Sequence, residues 1–164
     1  MRTNITENQK PMFERMSERN YVFRQESNLE HYEAEPFVVA CVDDRFSKVR
    51  ADFLESLEIE HIDPKTPAGG AKVFSSPFES TDRDHYLREL EISIKHHKVK
   101  KVMLFTHHDC AAYGGFGKFE NDEDKELSFH AEEHKKAASV IKERFPDIEI
   151  EAYFQDGHGI VRTL

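Results

Sequence analysis

The chain is 164 residues long, with two cysteines, no tryptophan and no basic block. It also lacks any apolar run near the ~20 residues that span a bilayer, which excludes a membrane-spanning helix. A net charge of −9 repels phosphate backbones and anionic membranes, so neither nucleic acid nor a membrane surface is an expected partner. The first residues, Met1-Arg2-Thr3-Asn4-Ile5-Thr6-Glu7-Asn8, hold no apolar stretch of signal-peptide length, so a cytoplasmic location is expected. In a reducing compartment both cysteines stay thiols. That favours metal binding over the competing reading, a disulfide between Cys41 and Cys110.

The length suits one domain, with a helical arm over residues 1–30 and an α/β core over residues 37–164. From about Glu7 to Asn28, Met12, Phe13, Met16, Tyr21, Val22 and Phe23 lie among charges and predict one or two amphipathic helices. Such a segment needs a surface to lie on, either the chain's own sheet or a second subunit. Phe37 to Val42 and Val99 to Phe105 are short continuous apolar runs, the pattern of strands buried on both faces. A short helix is expected over Val49 to Leu57, a minor strand over Ile59 to Ile62, and a loop through Pro64, Pro67, Gly69 and Gly70. Thr81 and Asp82 are candidate caps for a helix that carries Leu87, Leu90 and Ile94 on one face. After a solvated acidic loop at residues 120–124, a long helix from about Lys125 places Leu127, Ala131, His134, Ala138, Ile141 and Phe145 on one stripe. Ile148 to Phe154 alternates as a third main strand, and Asp156-Gly157 turns the chain into a last one, Ile160 to Leu164. Strands joined by helical crossovers predict an α/β fold: a mainly parallel central sheet with helices on both faces and its crevice at the carboxyl ends of the strands.

Both cysteines fall at such ends. Cys41 opens Cys41-Val42-Asp43-Asp44-Arg45 after the first buried run, and Cys110 closes His107-His108-Asp109-Cys110 after the second. Two thiolates and an imidazole form a soft donor set that suits Zn²⁺ and leaves a fourth position for water or a carboxylate. The alternative is a pair of inert core thiols beside a surface histidine. His130 and His134 are four apart on the long helix, but the glutamate that a zincin needs directly after the first histidine is absent. His134 lies on the apolar stripe and reads as a satisfied buried histidine.

Cys41-x-Asp43-x-Arg45, Ala68-Gly69-Gly70 and His107-x-x-Cys110, in this order, resemble the β-class carbonic anhydrases over roughly Phe37 to Leu164. The resemblance implies that Cys41, His107 and Cys110 hold Zn²⁺, with His107 preferred to His108 by the family spacing. It makes Asp43 and Arg45 the catalytic dyad, with Asp43 a conditional fourth ligand when it is not held by Arg45. The implied activity is reversible hydration of carbon dioxide to bicarbonate and a proton through zinc hydroxide, with His108 a candidate proton carrier. A CS₂ or COS hydrolase on the same zinc site, and a catalytically silent zinc module, are the alternatives. The family also implies a homodimer or a multiple of dimers. Ala111, Asp44 and Pro67 depart from its usual residues, and the missing tryptophan excludes the tryptophan-containing bicarbonate pocket of its pH-gated members.

Overall fold

A computed structural model of the chain describes residues 19–164, which fall into a segment ending at Tyr32 and a compact unit over Glu33–Leu164. In the first segment residues 19–32 are exposed and form neither helix nor strand. The helices expected there are thus absent from Arg19 to Asn28, and the rest of that expectation lies outside the described residues. A short helix without a surface to bury its apolar side does not recover its nucleation cost.

The compact unit is built on a five-stranded sheet of β1 (Pro36–Val39), β2 (Asp63–Lys65), β3 (Lys101–His107), β4 (Glu149–Gln155) and β5 (Ile160–Arg162). Its order is β2-β1-β3-β4-β5, parallel except for the antiparallel β4/β5 pair. The helices are α1 (Ser47–Ser56), α2 (Lys72–Ser75), α3 (Ser80–His97) and α4 (Glu123–Arg144). The predicted α/β architecture is therefore the observed one, and β1 and β3 are neighbours with the minor strand beyond β1.

Side-chain alternation divides the core between the two faces. Phe37, Val39, Val102, Leu104 and Ala152 pack with α2, α3 and α4 through Phe74, Leu90, Ala137 and Ile141. Val38, Met103, Phe105 and Tyr153 face the other way, against Phe53 and Leu54 of α1. Full burial of each large apolar side chain contributes roughly 1.5–3 kcal/mol, so these two clusters hold the strand ends in place.

Four local expectations are corrected. The minor strand is Asp63–Lys65 rather than Ile59 to Ile62; the isoleucines instead pack as side chains against the α1-side cluster. Pro64 is tolerated in β2 because the strand lies at the sheet edge. Helix α3 is capped by Glu79, not by Thr81: its carboxylate accepts from the N3 backbone, while Asp82 Oδ2 accepts from Glu79 N–H at 3.3 Å, a reciprocal capping box. Helix α4 starts at Glu123, where Asp122 accepts from Lys125 N–H at 2.9 Å and acidic residues favour the positive end of the helix. The buried stripe of α4 runs through Glu126, His130, Glu133, His134, Ala137 and Ile141. His134 and Ile141 were expected there; Leu127, Ala131, Ala138 and Phe145 are only partly buried.

Candidate metal centre

Cys41 lies two residues beyond β1, after Ala40, whose N–H donates to Lys65 C=O at 3.0 Å. Its Sγ accepts from Gly69 N–H at 3.2 Å. Gly70, at φ +58°, wraps so tightly behind it that a Cβ there would lie 2.1 Å from Phe105 O and 3.0 Å from Cys41 N. Only glycine fits that approach. His107 is the last residue of β3, and Cys110 lies beyond a turn in which Asp109 takes φ +55°.

The tertiary fold brings Cys41, His107 and Cys110 together: their ligand atoms lie within 4.8 Å of one another, and all three residues are buried. The two sulfurs are 3.9 Å apart and not joined as a disulfide. Zinc–sulfur bonds of about 2.3 Å in a tetrahedron require a sulfur separation of about 3.8 Å, so the pair is spaced for a metal. His107 Nδ1 donates to His108 C=O at 2.8 Å, which fixes the tautomer and leaves Nε2 as the atom that could ligate a metal. That Nε2 is buried and has no hydrogen-bond partner among the described residues. A soft cation satisfies all three groups at once, and the donor set fits Zn²⁺.

Electrostatics within the cluster are those of closely packed donors. The Cys110 thiol hydrogen-bonds to Cys41 and pulls its pKa down against burial, aided by His107 and the backbone N–H groups of Asp43 and Gly69. The same contact, with burial, pushes the Cys110 thiol up. Burial disfavours the charged form of His107, but Cys41, the His108 carbonyl and Asp43 outweigh it, so the net shift is upward.

Asp43 lies beside the cluster, its Oδ2 3.9 Å from His107 Nε2. Arg45 grips it: Nη2 donates to Oδ2 at 2.7 Å and Nε donates to Oδ1 at 3.0 Å, holding the carboxyl down at about 2. Arg45 also donates to Asp109 C=O at 3.3 Å, so the predicted dyad is tied to the second cysteine motif as well.

His108 and Glu126 form a clamp that the sequence did not announce. The Glu126 side chain, 1% exposed, lies 2.6 Å from His108 Nδ1 and accepts from Asp109 N–H at 2.8 Å, pinning the turn between the two ligands to α4. A glutamate amid charged residues reads as solvated. Its helical spacing from His130 and His134 was the available signal. His134 is satisfied by Thr106 at 3.1 Å and Thr163 at 2.7 Å, as expected of a buried core histidine. His130 lies apart from the ligand cluster, among the rings of Tyr113, Phe129 and Phe154. Two further polar groups escaped the sequence reading: Gln155, fully buried, and Arg50, whose Nη1 is buried.

Among proteins of similar sequence, uncharacterized protein RC0076 of Rickettsia conorii is 26% identical over 135 residues, spanning 80% of this chain and 73% of its own length. An uncharacterized protein of Rickettsia bellii is 25% identical over 138 residues, spanning 80% of this chain and 82% of its own. The fold is shared with the β-carbonic anhydrase CafA of Aspergillus fumigatus, at a TM-score of 0.54 and 12% identity over 80% of this chain and 76% of that one. The family model described as "Putative carbonic anhydrase" matches residues 33–164, a span that takes in the whole sheet and both cysteine motifs. By that match the chain belongs to this carbonic anhydrase family.

Proposed function

We propose that this protein is a zinc-dependent carbonic anhydrase that interconverts carbon dioxide and bicarbonate. The carrying observation is the convergence of Cys41, His107 and Cys110 at the carboxyl ends of two adjacent parallel strands, with Asp43 and Arg45 alongside. In this reading the two sulfurs and His107 Nε2 hold the ion, and the His107 Nδ1–H bond to the His108 carbonyl keeps the ring oriented toward it. A zinc ion at this position would supply Lewis-acid activation of water at neutral pH. Asp43, kept ionised by Arg45, accepts a hydrogen bond from the reacting water and orients it. Arg45, anchored to Asp43 and to Asp109, withholds that carboxylate from the metal. Glu126 keeps the intervening turn from drifting.

The proposal extends to a homodimer working in the cytoplasm. Val22 and Phe23 are fully and largely exposed in the segment ahead of the core, which favours their burial against another subunit. Cys41 and Cys110 must stay thiols to hold zinc, which a reducing compartment would ensure. Stopped-flow measurement of carbon dioxide hydration on zinc-quantified protein tests the activity. Hydration at the buffer rate by protein carrying about one zinc per chain would reject it.

A further inference from the structure

The face of the sheet under α1 changes character at its upper edge. Phe105 and Tyr153 are register partners on β3 and β4 and stack with ring centroids 5.1 Å apart. Two residues further along, the register partners are His107 and Gln155. Strand alternation puts this second pair on the same face, so an apolar layer gives way to a polar one beside the metal centre.

Gln155 is fully buried, and neither its amide nitrogen nor its amide oxygen has a hydrogen-bond partner among the described residues. Its backbone is committed: the carbonyl accepts from His108 N–H at 2.8 Å, and the residue pairs with Ile160 of β5. The side chain is thereby anchored next to the His107 ring. A buried amide that meets no protein group is costly to fold and calls for a ligand or water. Phe46 stacks on His107 at 4.9 Å, and Arg50, one helical turn later and so on the same side of α1, ends in a buried Nη1 that also has no hydrogen-bond partner among the described residues. The amide and guanidinium are both donors, and donors of this kind suit a small oxygen-bearing anion rather than an apolar or sulfur-only molecule.

We propose that Gln155 is a substrate-specificity residue, its carboxamide N–H groups donating to an oxygen of bicarbonate beside His107, with Arg50 the second donor. This rests on the carbonic anhydrase reading and narrows it to oxygen-bearing ligands. The group acts through hydrogen bonding alone, so no proton or electron is transferred to it.

The test uses the full-length, zinc-replete Gln155→Met protein, with Gln155→Leu as the second variant should the first not fold. Zinc per chain, the thermal shift produced by bicarbonate, and KM and kcat for bicarbonate dehydration are measured together. Zinc content should stay at the wild-type value, while the bicarbonate-induced shift is lost and KM rises about tenfold, with kcat changing less. Because an apolar side chain replaces an unpaired buried amide, the variant without bicarbonate should unfold at or above the wild-type temperature. An unchanged KM and an undiminished bicarbonate shift in the variant would overturn the assignment of Gln155 alone. Zinc-replete wild-type protein that shows neither a bicarbonate shift nor turnover would overturn this assignment together with the carbonic anhydrase reading.

Discussion

Arg45 donates to the backbone carbonyl of Asp109 at 3.3 Å, joining two motifs 64 residues apart in the chain. The same guanidinium holds Asp43 at 2.7 Å, so one side chain both restrains the carboxylate that lies 3.9 Å from His107 Nε2 and braces the turn that carries Cys110. Arg45→Ala should keep its zinc but lose carbon dioxide hydration about ten- to hundredfold, as Asp43 becomes free to occupy the water's position. Wild-type turnover in a zinc-replete variant would show that the grip has no gating role.

The donor set itself makes a direct prediction. Replacing Cys110 by serine exchanges a soft thiolate for a hydroxyl, and zinc affinity should fall about 100-fold or more. Elemental analysis after gel filtration checks this, with the same outcome expected for Cys41→Ser. Full zinc retention in the double variant would place the metal elsewhere.

Gly70 offers a purely geometric test of the loop behind Cys41. An alanine there would have to adopt φ +58° and bring a Cβ within 2.1 Å of the Phe105 carbonyl oxygen. That contact, and the one at 3.0 Å to Cys41 N, are to backbone, which cannot rotate away. Gly70→Ala should cost about 2 kcal/mol or more in denaturant unfolding and weaken zinc binding in parallel, because relief requires moving β3 or Cys41. Unchanged stability would mean the loop has another conformation available.

His130 links the buried helix face to acid stability. Burial lowers its pKa from 6.5 to about 3, so it is neutral in the folded protein and takes up a proton readily only in the unfolded chain. Between pH 6.5 and about 3 the unfolded state therefore binds more protons, and stability falls as the pH drops. For this one group the loss between pH 7 and pH 5 is about 2 kcal/mol. His130→Phe should remove that share, so the stability gap between variant and wild type widens in the variant's favour as acid is added. Parallel urea titrations at the two pH values check it; an identical pH dependence for both proteins would show that folding does not shift the His130 pKa.

Much of this molecule was legible in its amino-acid sequence because the relevant signals are local. The continuous apolar runs before Cys41 and before His107 made buried parallel strands readable, and the donors at their ends followed from the spacing within each motif. What the sequence left undecided depends on neighbours distant in the chain. The phase of α4 shifted because Glu126 finds His108 and the Asp109 N–H inside the fold, a partnership that periodicity cannot register. β2 formed at Asp63–Lys65 because an edge tolerates Pro64, while Ile59 and Ile62 were drawn into the cluster under α1. Glu79 became the cap of α3 only through a reciprocal bond with Asp82. The sequence by itself determined the donor types and the strands that carry them. Their convergence within 4.8 Å, the bridge from Arg45 to Asp109 and the placing of Gln155 beside His107 were decided by parallel strand register, which packing of the whole sheet sets.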